Sequence, residues 1–373
     1  MPKSPFTNVQ GANSLFRQVH DDVLQRITAG VYAPGDRIPS ISELCASHKV
    51  SAITVRRALS DLVAAGLLRG AQGRGMFVVD QHQAKASSSG MLGLVIPEST
   101  DSSRFLAGIR RGVEAGAGRA SSLLVGISDM DPWREVELLA DMIRHRVAGV
   151  LVVAATGDRP AGADVRLQAL IAGGPPLVFV DRRPPGIEAD WISSDNELAG
   201  RSAGEALLAQ GHRRIAFVWA HECVTVAARR RGLETAMAKD GLALDPQLAR
   251  GGWDPARDYE GCGYLRTLEL FHLPQPPTAI FTSNDGIAWG ALRALRFLGR
   301  QVPEDVSIIG VDDLPLSATT VPPLSSVRQD TESMGLLAIE QLRRRIAGDS
   351  GPVQVRYIPT ELVTRRSVAP PRA

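Results

Sequence analysis

Ile53, Arg56, Arg57 and Ser60 recur on one side of a short stretch at helical spacing. Two guanidinium groups beside a hydroxyl and an apolar side chain can hydrogen-bond guanine edges and phosphates, and a helix fits a DNA major groove. Arginine pairs also decorate ordinary solvated helix faces, so the elements around them carry the weight. Val55, Leu59, Leu62 and Val63 repeat on the opposite side and should form a buried stripe. Ser51 is placed to cap this helix and Gly66 to end it. Ahead of it, Ser40 and Glu43 form a capping box that starts a shorter helix, with a turn near His48 to Val50. After it, Leu67-Leu68-Arg69 and Met76-Phe77-Val78-Val79 flank a polar turn holding Gly73-Arg74-Gly75. The pattern predicts a helix-turn-helix with a two-stranded wing that presents one arginine between glycines, and DNA is the expected partner.

The leading helix, Pro34-Gly35-Asp36-Arg37, Pro39-Ser40, Glu43-Leu44, Val50-Ser51, Thr54-Val55-Arg56, Ala58-Leu59 and Gly73-Arg74-Gly75 resemble the N-terminal domain of the GntR family of bacterial transcription regulators. The resemblance implies base- and phosphate-contacting roles for Thr54, Arg56 and the wing. The candidate DNA-binding set is Ser40, Ser51, Ile53, Thr54, Arg56, Arg57, Gly73, Arg74 and Gly75. Ser42 and Ala52 stand where that family often has arginine, which removes two bidentate contacts and points to a different operator.

Composition bounds the rest. The chain has 373 residues and a net charge of only +2. Residues 1–80 hold nine Lys or Arg against six Asp or Glu, leaving a slightly acidic remainder. A basic head on a near-neutral body fits a DNA reader joined to a module that does not touch DNA. Cys45, Cys223 and Cys262 are scattered and odd in number, so neither a disulfide framework nor a metal site is expected. No signal segment or long apolar run stands out, and a cytoplasmic protein with no membrane contact is expected.

In chain order, residues 1–12 read as a polar tail, 13–80 as the winged head and 81–90 as a Ser/Ala/Gln linker. From residue 91 the pattern becomes α/β. Short, almost wholly apolar runs over 91–96, 123–127, 150–153 and 177–180 suit parallel strands buried on both faces. Helical stretches over 105–117 and 133–146 lie between them. A second βα series follows, with helices over 197–210, 229–239, 259–270 and 286–298 and strands over 215–219, 279–282 and 306–311. Two doubly wound parallel sheets forming a two-lobed body are expected, with a ligand cleft between their carboxyl strand ends. Lobe one is assigned about 91–195 plus 328–350, and lobe two about 196–327 plus 355–366.

Phe179-Val180-Asp181-Arg182, Ser194-Asp195-Asn196, Gly211-His212-Arg213-Arg214-Ile215-Ala216-Phe217, Arg229 with Gly232, Thr282-Ser283-Asn284-Asp285, Val302-Pro303-Glu304-Asp305-Val306-Ser307, Gly310-Val311-Asp312-Asp313 and Pro322-Pro323-Leu324 resemble the LacI family's effector domain over 91–366. That domain has the periplasmic-binding-protein-like fold, and the combination with a GntR head is similar to arabinose-repressor-type regulators. The LacI family's own head and hinge helix are replaced here by 81–90.

The resemblance implies effector-binding roles for Asp181, Arg229, Trp253, Asn284, Asp312 and Gln329, with Thr225 and Asp195 as weaker candidates. Carboxylates and a guanidinium suit adjacent sugar hydroxyls, and an aromatic ring suits the apolar face of a sugar. The expected protein is a repressor controlled by a small ligand, acting as a homodimer on double-stranded operator DNA, without cofactor or metal. A purine or nucleoside effector, or a ligand-free body used only for dimerisation, are the alternatives. An aminotransferase body would need a Schiff-base lysine, and a transport receptor would need an export signal; neither is evident.

Overall fold

The structure, a computed structural model, describes residues 9–33, 35–64, 67–71, 75–78, 90–98, 104–118, 121–156, 160–252 and 258–372. The head comprises α1 (Val9–Thr28), α2 (Ile41–His48), α3 (Ala52–Ala64) and an antiparallel pair, β1 (Leu68–Ala71) and β2 (Gly75–Val78). The capping box forms as expected. Ser40 Oγ accepts from Glu43 N at 3.3 Å, and the Glu43 carboxylate accepts from Ser40 N at 2.6 Å. Lys49 turns the chain with φ 52°, and Ser51 Oγ caps α3 by accepting from Thr54 N at 3.3 Å. Val55, Leu59 and Leu62 of α3 are buried against Val19, Val23 and Leu24 of α1. Val63 departs from expectation and is exposed, because it lies one residue round the helix from the Leu62 stripe. The first helix also begins inside the segment expected to be a tail.

The body holds two six-stranded sheets. The first has the order β13-β7-β6-β5-β3-β4, built from β3 (Leu92–Ile96), β4 (Leu123–Ile127), β5 (Gly149–Val152), β6 (Leu177–Val180), β7 (Asp190–Ser194) and β13 (Val355–Ile358), all parallel. The second has the order β14-β12-β11-β10-β8-β9, from β8 (Ile215–Val218), β9 (Ala249–Arg250), β10 (Ala279–Thr282), β11 (Ser307–Asp312), β12 (Ser325–Arg328) and β14 (Glu361–Val363). Only β14 runs antiparallel in it. The helices are α4 (Arg104–Ala117), α5 (Pro132–Arg144), α6 (Ala161–Gly173), α7 (Asn196–Ala209), α8 (Val224–Lys239), α9 (Tyr259–Phe271), α10 (Asp285–Phe297) and α11 (Thr331–Ile346).

Among the described residues the chain passes between the lobes three times, after β7, after β12 and between β13 and β14. The last crossing corrects the expected lobe boundaries. Val355–Ile358 pairs with β7 of lobe one, so the stretch assigned wholly to lobe two is split between the sheets. Arg328 likewise belongs to β12 of the second sheet. The Asp190 carboxylate holds the first of these strands in place. It accepts from Arg345 Nε at 2.6 Å, Gln341 Nε2 at 2.8 Å and Gln354 N at 2.8 Å, tying α11 and the approach to β13 onto β7. The 81–89 part of the expected linker lies outside the described residues. Among the described residues no helix is long and apolar enough to cross a membrane.

Helix pairs meet at glycines. A Cβ on Gly200 of α7 would lie 1.9 Å from the Arg229 carbonyl oxygen, and one on Gly232 of α8 would lie 2.1 Å from that of Glu197. Both clashes are with backbone, so no side-chain rotation relieves them. Gly232→Ala is therefore expected to push α7 and α8 apart and destabilise the body by about 1–3 kcal/mol, read as a lower urea midpoint.

Candidate functional site

A cavity of about 250 Å³ lies between the carboxyl ends of the two sheets. Asp181 follows β6 with φ 59°, and Asp312 ends β11 with φ 111°. Such conformations are strained for residues with a Cβ and recur where side chains must be aimed at a ligand. The Asp181 backbone is fixed by bonds from its N–H to Ile192 O at 2.8 Å, from Trp191 Nε1 to its carbonyl at 3.0 Å and from Ser193 Oγ to the same carbonyl at 2.9 Å. Its buried carboxylate oxygen Oδ1 has no hydrogen-bond partner among the described residues.

Arg229 comes from α8, one face of which is buried on α7. Its Nε donates to Asn196 Oδ1 at 2.8 Å and its Nη1 to the Ser283 carbonyl. Asp312 accepts from Gln329 Nε2 at 2.7 Å, while Gln329 Oε1 is buried and unpartnered among the described residues. Asn284 lines the cavity and spends its side-chain oxygen capping α10, accepting from Ile287 N at 2.9 Å.

Electrostatics here are finely opposed. Burial pushes the Asp181 carboxyl above its ordinary range, against the charges of Arg182 and Arg229. Burial raises Asp312 well above the carboxylate range, against Arg229 and with help from Asp285. Asp285 is itself pushed up to about 6 by burial. It accepts from Ser317 Oγ and Ser326 Oγ, both at 2.6 Å, and from Leu314 N at 2.8 Å, so it is a structural group beneath the site.

The structure brings Asp181, Arg229, Asn284, Asp312 and Gln329 to one cavity, with Thr225 beside them. Asp195 is instead the cap of α7, accepting from Leu198 N at 2.8 Å. Trp253 lies outside the described residues. Arg182, His221, Tyr259 and Phe105 also line the cavity and were not anticipated as site residues. Arg182 stands 3.6 Å from Asp181 Oδ2, and its adjacency in the Asp181-Arg182 pair was a usable signal. His221 packs edge-on to Tyr259, ring centroids 5.9 Å apart, and burial with the Arg182 charge pushes it down to about 4, so it is neutral near pH 7. Neither His221 nor Tyr259 sits in a recognisable motif, and only folding brings them together.

In the head, Ser51, Ile53 and Arg56 are exposed on the outer face of α3. Thr54 Oγ1 lies 2.9 Å from Ser51 Oγ. Arg57 turns away from that face: its guanidinium covers the Phe16 ring of α1 at 5.0 Å. The Ser40 hydroxyl serves as a cap. Gly73 and Arg74 lie outside the described residues. Gly75 has φ 106°, and a Cβ on it would come within 2.9 Å of Arg37 Nε. Arg37, absent from the anticipated set, therefore lies across the base of the wing, where an exposed guanidinium can reach a phosphate.

Comparison with known proteins matches this division. Residues 15–78 match the family described as bacterial regulatory proteins, gntR family. Residues 205–368 match the periplasmic binding protein-like domain. The ribose operon repressor of Haemophilus influenzae is 30% identical over 288 residues, 76% of this chain and 82% of the relative. The HTH-type transcriptional repressor CytR of Escherichia coli K12 is 31% identical over 291 residues, covering 76% of this chain and 80% of the relative. Among solved structures, a LacI family transcriptional regulator from Enterococcus faecium with bound ribose superposes with TM-score 0.64 at 25% identity, over 76% of this chain and all of that one (100%). A transcriptional regulator CelR–cellobiose complex superposes with TM-score 0.67 at 28% identity, over 85% of this chain and 91% of that one. With a gntR-type head on a body shared with these repressors over most of their length, the chain belongs to the LacI family of ligand-responsive, DNA-binding transcription regulators.

Proposed function

We propose that the protein is a cytoplasmic transcriptional repressor. A homodimer grips a pseudo-palindromic operator through α3 and the wing, and a monosaccharide bound between the lobes changes its grip. The observation that supports a polyhydroxylated ligand is the pair of buried acceptors, Asp181 Oδ1 and Gln329 Oε1, without partners among the described residues and facing the same cavity as Arg229 and Asp312. Buried acceptors favour donors, and a sugar supplies adjacent hydroxyls. The volume supports a small ligand. About 250 Å³ lies below the ~300 Å³ where drug-sized sites begin, which suits a single sugar ring better than a disaccharide. Dimerisation follows from specificity, since one winged helix reads too few base pairs.

A thermal-shift panel of pentoses, hexoses, disaccharides, sugar phosphates and nucleosides tests this reading. A ligand at ~100 times its Kd adds ~2.7 kcal/mol. A pentose or hexose is expected to raise Tm most. A shift confined to nucleosides, or none at all, overturns the sugar reading.

Three outcomes follow from the geometry. Asp312→Ala should weaken the identified effector by about 10- to 100-fold, through loss of a charge-assisted bond, while operator binding without ligand stays intact in an electrophoretic shift assay. Arg56→Ala should lower operator affinity by a factor of about 5–100, the worth of a base or phosphate contact, and leave effector titrations unchanged. Acidification should weaken the effector. The Asp181 and Asp312 carboxyls are raised, so their accepting, ionised forms are lost at a pH above the ordinary carboxylate range. Titration calorimetry from pH 8 to 5 should show affinity falling, and an affinity that rises towards pH 5 contradicts the assignment.

A further inference from the structure

Helix α8 separates two cavities. Thr225 lies at the edge of both, and Arg229, one turn on, lines the effector cleft. Val224, Ala228 and Arg231, spaced by four and three residues, form the neighbouring stripe and line a second cavity of about 520 Å³ behind the lobe crossing. Its far wall is from lobe one, where Trp191, Ser194 and Tyr357 lie on β7 and β13. Its near wall is from lobe two, where Arg201 on α7 joins Arg231 on α8.

We propose that this rear cavity is a second ligand site, for a small phosphate-type anion. The ground is charge. Arg201 and Arg231 have no acidic side chain within ion-pairing distance among the described residues, whereas the neighbouring Arg230 pairs with Glu222 at 3.7 Å and Glu234 at 4.0 Å. Arg183 adds a third guanidinium, held 4.5 Å over the Trp191 ring. Of the two acids on the rim, Asp195 is engaged in capping α7 and Glu197 is exposed. Two guanidinium forks suit the oxygens of a phosphate.

The occupant would touch both lobes. It would also lie against Asn196, whose side-chain oxygen holds Arg229 in the effector cleft. Anion and effector affinities are then linked, and each must alter the other by the same factor.

The test is titration calorimetry of the full chain with inorganic phosphate and then pyrophosphate at fixed ionic strength. One saturable site per chain is expected. Arg201→Gln/Arg231→Gln should weaken it roughly tenfold or more. Arg182→Gln, in the effector cleft, and Arg56→Ala, in the head, should leave anion binding unchanged. Absence of saturable binding overturns the proposal. So does binding that survives the double variant, or that disappears with Arg182→Gln or Arg56→Ala.

Discussion

The contact between α7 and α8 at Gly200 and Gly232 sets the geometry on which the effector cleft depends. Without side chains at these two positions, the Arg229 backbone lies directly against α7. Arg229 then reaches back to Asn196, the first residue of α7, and forward to the Ser283 carbonyl beside β10. A long, flexible cation is thereby immobilised before any ligand arrives, which lowers the entropic cost of binding. The same device recurs where Gly263 of α9 meets the Ile287 carbonyl of α10, and where Gly335 of α11 meets the Ile109 carbonyl of α4. Each pair covers one face of a sheet, so the strand ends that carry Asp181 and Asp312 are held to the same tolerance as the helices.

Against that rigid frame the cleft is electrostatically unfinished. Asp181 and Asp312 are disfavoured as anions by burial more than Arg229 favours them. Ligand hydroxyls would complete the acceptors and let the carboxylates keep their charge in a dry cavity. On the proposed reading, the driving force for bringing the lobes together would lie in the cleft, while the head has its own buried stripe from α1 and α3 and its own helix caps.

Much of this was legible in the sequence where one residue type has one local use. Ser40 with Glu43, and Ser51 ahead of α3, were readable because capping is decided within a turn of chain. The parallel strands were readable from uninterrupted apolar runs. Asp181, Arg229, Asn284, Asp312 and Gln329 were reachable because each sits in a recognisable run of neighbours, and the fold gathers them at one cavity. What stayed hidden depends on packing across distance. Arg57 was indistinguishable from Arg56 until Phe16 offered it a ring. His221 and Tyr259 carry no local pattern, and β13 was misplaced because Val355–Ile358 and Glu361–Val363 look alike in sequence yet pair with opposite lobes.

The three passages of the chain between the lobes have a mechanical meaning. One connecting segment would be a tether about which the lobes could swivel, twist and splay. Three segments side by side behave like the leaves of a door hinge and leave essentially one angle free. On the proposed mechanism, any molecule that closed the cleft would send the head the same instruction, whatever its chemistry. In such a protein the meaning of the signal resides in the hinge and its identity in the cleft. Evolution can then exchange the ligand by altering a few cleft side chains, or the operator by exchanging the head, without redesigning the motion that joins them.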